Sequence, residues 1–422
     1  MASGQQSFSL AAYAGLLRGN RNFRRLWTAQ IISEIGDWLY VVAIYSLLLE
    51  FTGSARSVGT ALVLQVLPQV FVAPIAGVIN DRLSRKSVMI FADLARMFIV
   101  LGMLLVTGPG RVWLVWVLLL SETLMWSLFE PGRGAVVPVI CPGDDDRLIA
   151  NALSSTTWAV NFALGAGIGG LLAYQFGRQT LFVLNGLSFL LSAWLIRGMR
   201  FDEPHTAEHK NFRWRDLFDF RPVWEGLDYV RRDRRLLATM GVKVGLGLLG
   251  AHWVILPIYG ERIFPIGGAL SMSLLLSSRG VGALIGSFVS GWWARNHEQR
   301  LRSGIFWGFL LIAVSYLALG RAPTLLLACL AVLAGHMGSS TCWVFSTTLM
   351  QELTDDRFRG RVFSADFAGL FLTISGVSYP ASWLIDAGVP VRTIALAIGI
   401  LGLLPAAFWL FALRLWKRAS PQ

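Results

Sequence analysis

The sequence has little charge for its length. Only 15% of its 422 residues are Asp, Glu, Lys or Arg, whereas 55% are hydrophobic and the mean hydropathy is +0.58. A soluble domain of this size needs far more polar surface. The composition therefore excludes a soluble globular protein and indicates a chain that crosses a membrane many times.

Cysteine is also scarce. The three cysteines, Cys141, Cys329 and Cys342, show neither the pattern of a disulfide framework nor a metal-binding spacing. The sequence has no clustered metal ligands, no nucleophile motif and no phosphate-binding loop, so it points away from an enzyme, a bound cofactor and ATP as an energy source. The first twenty residues also lack the apolar core and cleavage site of a removable signal peptide.

What the sequence does have is long apolar runs. A helix needs about 20 residues to cross the roughly 30 Å hydrocarbon core of a membrane. Twelve runs are long enough, and glycine and proline mark turns between them, as at 108–110. An even number of spans places both termini on one side. The predicted spans are 26–50, 57–79, 88–107, 112–137, 148–174, 180–198, 236–259, 268–294, 301–320, 323–350, 360–385 and 391–414.

Positive charge is distributed unevenly over the loops. A cluster that includes Arg21, Arg24 and Arg25 precedes the first span, and similar clusters follow the second and eighth spans, precede the seventh and end the chain. The intervening loops carry single arginines, such as Arg56 and Arg321. Because clustered positive charge stays on the cytoplasmic side, we predict that both termini are cytoplasmic. The net charge of +12 therefore reflects topology, and nucleic-acid binding is not expected.

Two short strings recur at one offset. NRNFRRLW at 20–27 returns 210 residues later as VRRDRRLL at 230–237, and DDRL at 145–148 returns as DDRF at 355–358. One offset at two separate places indicates an internal repeat of six spans. Such parallel repeats place their binding site at the interface of the halves, near the membrane midplane.

The domain organisation follows from this repeat. We predict six-span halves at 1–198 and 236–422, joined by a polar linker at 199–235. Aromatic residues such as Trp214 and Trp224 stand among the charges of the linker. That pattern favours amphipathic helices on the inner leaflet surface, and an ordinary solvated linker is the alternative.

A charge motif follows the second span. In PIAGVINDRLSRK, at 74–86, an apolar run of small residues ends at Asp81. A signal that keeps the loop inside would explain the basic residues but not this acid. The spacing resembles the loop signature of the major facilitator superfamily. The resemblance implies an all-α membrane protein with twelve transmembrane helices in two pseudo-symmetric six-helix halves. The predicted gating loop comprises Gly77, Asp81, Arg82, Arg85 and Lys86, braced by Asp93 and Arg96 of the third span.

Four longer strings narrow the resemblance. They occupy 20–39, 129–153, 225–238 and 359–364, and together they resemble the bacterial efflux branch that includes macrolide-efflux pumps and the enterobactin exporter. The resemblance implies a monomeric, proton-coupled exporter of small amphipathic compounds in the lipid of the bacterial inner membrane. It implies no cofactor and no nucleic acid. Small residues in the fifth span are predicted to pack helices closely: Gly165, Gly167, Gly169 and Gly170.

Ionisable residues inside spans usually face a cavity or a partner. The resemblance implies that spans 1, 4, 7 and 10 line the cavity. Glu34 and Asp37 share a face of span 1 and are the predicted proton carriers, since two close carboxylates favour retention of a proton. A permanent ion pair of Asp37 with Arg133 or Lys243 is the alternative. The predicted substrate cavity comprises Trp38, Tyr45, Glu122, Trp126, Lys243, His336, Ser340 and Trp343.

These residues leave several functions open. A cavity of acids, aromatics and few bases suits a large amphipathic solute, and a cationic one is the simplest expectation. A lysophospholipid flippase of the same fold is the main alternative. A membrane receptor that transports nothing and an integral-membrane enzyme rank below it, because the loop motif and the buried acids suit a transporter better.

Overall fold

The computed structural model describes residues 10–203, 221–266, 269–294 and 297–419, and it assigns no strand within them. Twelve of the helices in these ranges are long and apolar enough to cross a membrane, so the predicted all-α, twelve-span fold is confirmed. Spans 1 to 12 are Arg21–Thr52, Ala55–Arg82, Arg85–Leu105, Pro109–Ile140, Asp145–Phe176, Arg178–Arg197, Arg234–Ile263, Ala269–Ala294, Glu298–Arg321, Leu325–Leu353, Phe358–Asp386 and Val391–Arg414.

Local sequence sets the ends of span 1. Asn20 caps the helix, because its side chain accepts a hydrogen bond from the backbone N–H of Phe23 at 2.9 Å. The Asn20 amide also donates to the carbonyl of Ile140 at 2.6 Å, which ties span 1 to the end of span 4. The helix ends at Gly53, whose φ of 59° suits glycine.

Close helix packing within each half depends on small and polar residues. A β-carbon at Gly36 of span 1 would overlap Asn185 and Ser188 of span 6. Between spans 2 and 4, Asn80 donates to the carbonyl of Leu128 at 2.9 Å. Because lipid is as apolar as leucine, such contacts hold membrane helices together better than apolar area alone. Large apolar side chains lie exposed on the outside, where lipid would cover them; they include Phe98, Trp194 and Leu326.

The two halves contact each other mainly at one end of the bundle. We call the end where span 1 begins and span 12 ends the terminal face, and the other end the opposite face. At the opposite face, Asp386 of span 11 accepts hydrogen bonds from Ser54 Oγ at 2.5 Å and Ala55 N at 2.8 Å. Arg262 of span 7 donates to the carbonyl of Gly53 at 2.6 Å. These contacts join the halves at the opposite face.

Spans 5 and 8 extend this contact to mid-depth. Ser277 of span 8 donates to the carbonyl of Ala163 of span 5 at 2.6 Å. A β-carbon at Gly280 would lie 2.6 Å from Cα of Ala163, so the backbones touch. Nearer the terminal face this side of span 5 is open, since Trp158, one helical turn before its ring neighbour Phe162, is 47% exposed. The cleft between the halves therefore opens toward the terminal face.

The described part of the linker packs against the second half. Its helix Arg221–Arg232 buries Val230 against span 11, and Tyr229 stacks on Phe358 at 4.4 Å. Asp233 then caps span 7. Burial raises the pKa of Asp233, but hydrogen bonds and charge from Arg235 outweigh burial and hold the pKa below its usual range. The other predicted amphipathic stretch, with Trp214, lies outside the described residues.

Candidate transport site

Arg96 of span 3 lies at the centre of a buried charge network in the first half. Its Nη2 donates to both carboxylate oxygens of Asp37 in span 1, at 2.9 and 3.0 Å. Its Nε donates to Glu122 of span 4 at 2.9 Å. Its Nη1 lies 3.9 Å from Asp93, whose other oxygen accepts from Ser192 of span 6 at 2.6 Å. One guanidinium therefore joins four spans.

The network holds more acid than base. Arg96 is 2% exposed, stays charged in proteins, and lies with its Cζ 4.0 Å from the ring centre of Phe189. If all three carboxylates were ionised, the acids would exceed this base by two charges. Buried charge without a partner is costly. A proton bound within the network would remove part of that excess.

Asp37 is the member of the network that meets solvent. Its side chain is 28% exposed, whereas Asp93 is fully buried and Glu122 is nearly so. Span 1 approaches span 6 closely at Gly36, which sets the position of the next residue. Asp37 is therefore the carboxylate of this network that is most accessible from outside the buried core.

Two expectations about this network need correction. Asp93 and Arg96 were expected to brace the turn at Asp81, but their contacts are two acids and one serine inside the first half. Asp37 was expected to pair with Arg133 or Lys243 if it were structural, and its partner is Arg96. The spatial order of helices decides both pairings, and sequence spacing does not reveal it.

Glu34 lies outside this network and has uncharged hydrogen-bond partners. Gln30 donates to its Oε1 at 2.8 Å, and Asn161 of span 5 donates to its Oε2 at 3.0 Å. The two predicted proton carriers thus have different partners, although they lie three residues apart.

Lys243 forms an ion pair that the sequence did not indicate. Its Nζ lies 2.5 Å from Oδ2 of Asp366 in span 11, and both side chains are 1% exposed. The ring centres of Trp343, Phe363 and Phe367 lie 4.7, 5.4 and 5.0 Å from the ammonium. Lys243 therefore neither extends to the membrane surface nor lines an open cavity in this conformation.

The other predicted cavity residues are distributed over both halves. Tyr45 donates to Gln65 of span 2 at 3.1 Å, and Ser340 shares a 2.6 Å hydrogen bond with Ser287 of span 8. His336 bonds the carbonyl of Val332 at 3.0 Å. Trp38, Tyr45, Glu122, Lys243 and His336 are buried, whereas Trp126, Ser340 and Trp343 are partly exposed.

An aromatic stack crosses between the halves at mid-depth. Trp38, next to Asp37 in span 1, stacks on Phe162 of span 5 at 3.9 Å. On the other side of Phe162 lies Arg279 of span 8, with its Cζ 5.0 Å from that ring centre and 3.3 Å from that of Trp253 in span 7. The stack joins Asp37, in the first half, to a cation in the second.

The predicted gating loop is anchored to the segment after span 6. Glu203 accepts from Ser84 Oγ at 2.5 Å and from Arg85 N at 2.7 Å, and Lys86 Nζ donates to the carbonyl of Met199 at 2.7 Å. Asp81 is 70% exposed and lies 3.6 Å from Arg85. Asp81 is thus presented at the terminal face, in the same turn as Gly77 and Arg82.

The glycines of span 5 face two neighbours. β-Carbons at Gly165 and Gly169 would lie 2.8 Å from Trp38 and 3.3 Å from Leu39, both in span 1. Gly167 and Gly170 face Ser277 and Ser273 of span 8 in the other half. The same stretch therefore packs span 5 within its half and across the interface.

Sequence reasoning missed Asp366 and Arg279 and misplaced Arg96. Each stands about a quarter of the way or more into an apolar run, which is a signal in itself. The resemblance assigns the cavity to spans 1, 4, 7 and 10, whereas these residues are in spans 3, 8 and 11. Among the described residues, no group of three or more His, Cys, Asp or Glu could hold a metal ion.

Comparison with known proteins agrees with the twelve-span fold. The sequence profile of the Major Facilitator Superfamily matches residues 26–372. The chain is 26% identical to the uncharacterized MFS-type transporter YkuC of Bacillus subtilis over 279 residues, 64% of each chain, so it spans slightly less than two thirds of that relative. It is 24% identical to macrolide efflux protein A of Streptococcus pyogenes over 359 residues, 81% of this chain and 84% of that protein.

Solved structures extend the comparison to the fold. The nucleoside transporter NupG superimposes with a TM-score of 0.73 and covers 93% of this chain and 99% of its own. At 10% sequence identity, this likeness concerns the fold alone.

Proposed function

The chain belongs to the Major Facilitator Superfamily, and we propose that it is a secondary active exporter of small amphipathic compounds. Relatives in this superfamily include efflux proteins, such as macrolide efflux protein A. The proposed setting is the bacterial inner membrane, with the terminal face in the cytoplasm, because clustered positive charge lies there. The proposed parts are the halves 1–198 and 236–422 and the linker 199–235.

The proposed energy source is the proton gradient, coupled through Asp37. The observation that carries this proposal is the sharing of one guanidinium by three carboxylates, of which Asp37 alone is substantially exposed. In the conformation described, Asp37 would release a proton to the cytoplasmic cleft and pair with Arg96. When the cleft opens to the other side, Asp37 would take up a proton from outside. Glu34, with neutral partners, would contact solute or adjust the field at Asp37.

Alternating access would use the interface between spans 5 and 8 and between spans 2 and 11. In the conformation described, these contacts join the halves from the opposite face to mid-depth. Export requires a second conformation in which these contacts part and the terminal face closes. The exposed carboxylate of Asp81 would then meet the positive N-terminal end of span 11. A ligand drives this exchange only through unequal affinity for the two conformations.

Accumulation in cells tests export. A bacterium that lacks its own efflux pumps would be loaded with radiolabelled erythromycin, a macrolide, and with a panel of amphipathic dyes, with and without expression of this chain. We expect lower steady-state accumulation of at least one compound, restored by a protonophore. Unchanged accumulation throughout would contradict export of this class. A fluorescent lysophospholipid, added as a further arm, would identify a flippase if it alone were moved.

A further inference from the structure

Arg279 is a buried cation without an acidic partner. Its side chain belongs to span 8 and is 7% exposed. Nε and Nη1 are buried, and neither makes a hydrogen bond among the described residues. Arg96 and Lys243, the other buried arginine and lysine in the described parts of the spans, are each paired with carboxylates. Arg279 is therefore an exception to the pairing that this protein otherwise maintains.

The surroundings of Arg279 compensate its charge only in part. Its guanidinium lies 3.3 Å from the ring centre of Trp253 and 5.0 Å from that of Phe162. Stacking on aromatic faces attracts a cation but leaves its N–H groups without acceptors. The nearby titratable groups are tyrosines and histidines, among them Tyr316 and His336, and none supplies a negative charge. A buried N–H group that makes no hydrogen bond lowers the stability of the folded protein.

The position of Arg279 is the inner end of the cleft. The next residue, Gly280, touches the backbone of Ala163 across the interface, and Ser277 bonds to the same residue. From this point to the opposite face the halves are in contact, and toward the terminal face they separate. A solute that enters the cleft from the terminal face would meet the guanidinium where the cleft ends.

We propose that Arg279 binds an anionic group of the transported solute, with Trp253 and Phe162 as walls for an adjoining ring or apolar body. This inference rests on the proposed export function and specifies its substrate class. A guanidinium binds a carboxylate or phosphate through two parallel hydrogen bonds, which suits the unsatisfied donors. The solute class changes accordingly. A purely cationic compound would be repelled by Arg279, whereas a zwitterion could place its positive end near Asp37.

The binding test uses two probes of one shape. Tritiated 2-naphthylacetate and 2-naphthylacetamide differ in charge at one group, and their binding to the purified full-length protein would be measured at equilibrium in gluconate buffer. We expect the natural protein to bind the carboxylate about tenfold more tightly or better, because hydrogen bonds to charged groups are the strong ones. Arg279→Gln should remove that preference. Arg279→Lys, which keeps the charge but not the planar fork, should keep part of it.

A second arginine provides the matched control. Arg178 also stacks on an aromatic ring, that of Phe51, but it lies at the opposite face and pairs with Glu50. Arg178→Gln should retain the full preference for the carboxylate. Equal affinities of the natural protein for the two probes, no binding of either, or a preference that survives Arg279→Gln would each overturn the inference. Loss of the preference on adding chloride would assign the site to an inorganic anion and overturn the solute assignment.

The anion-site proposal and the export proposal are refuted by different results. The binding measurement needs no gradient and no transport. A carboxylate preference in a protein that exports nothing would refute the proposed function and leave the anion site standing. Export of cationic compounds by a protein without the preference would refute the anion site and leave the function standing.

Discussion

Lys243 and Asp366 lie 2.5 Å apart in the second half, one base with one acid, both 1% exposed and enclosed by aromatic rings. Arg96 in the first half serves three acids. The pair in the second half has no excess negative charge for a proton to neutralise. The network around Arg96 does have such an excess. This contrast assigns a structural role to the second half's pair and the proposed proton exchange to the first half.

The balanced pair gives a prediction about stability. Lys243→Met or Asp366→Asn leaves a buried group without its partner, and breaking a buried pair in this way costs about 3–5 kcal/mol. Thermal unfolding of the purified protein should show a large loss of stability for each single variant. The double variant Lys243→Met/Asp366→Leu should recover much of it, because an apolar replacement of the whole pair is often neutral.

The exposed pair of Arg178 and Glu50 provides the control. Glu50→Gln should change the free energy of unfolding by about 1 kcal/mol or less, because surface ion pairs contribute little. A loss of stability at Glu50→Gln as large as at the buried pair would contradict a structural role for Lys243 and Asp366. So would a double variant that is as unstable as the less stable single variant.

The gating loop gives a prediction about rates. Asp81 is 70% exposed in the conformation described, so it contributes little to this state. If it stabilises the other end state, Asp81→Asn should slow transport of an identified substrate while equilibrium binding and thermal stability stay close to those of the natural protein. An unchanged rate would exclude the gating role. If substrate binding and the transport rate both fell, the variant would have a folding defect instead.

The topology gives a prediction about labelling. Single cysteines at Leu83, in the turn after span 2, and at Arg321, at the end of span 9, should react with an impermeant maleimide from opposite sides of intact cells. The native Cys141 should stay silent at neutral pH, because burial raises the pKa of its thiol to about 11, helped by the charge of Asp146. Labelling of both introduced cysteines from outside would refute the twelve-span orientation.

The sequence was sufficient for the fold because apolar runs and the charge between them are local signals. All twelve spans were predicted, and Asp37 was identified as an ionisable residue inside one of them. Its partner Arg96, 59 residues away, depends on which helices are neighbours, and a single sequence does not encode that in any spacing. The glycines show the same limit. Their crowding in span 5 predicted close packing, but the alternation between span 1 and span 8 required the structure.

Transport by the Asp37→Asn variant tests the central claim most directly. Proteoliposomes with the natural protein, Asp37→Asn or Glu50→Gln would be given a substrate from the cell assay, and two rates would be measured: accumulation driven by a pH gradient and exchange of solute without a gradient. If Asp37 carries the proton, its variant should lose accumulation against a gradient and keep exchange, while Glu50→Gln keeps both. Full pH-driven accumulation by Asp37→Asn would show that Asp37 is not the proton carrier.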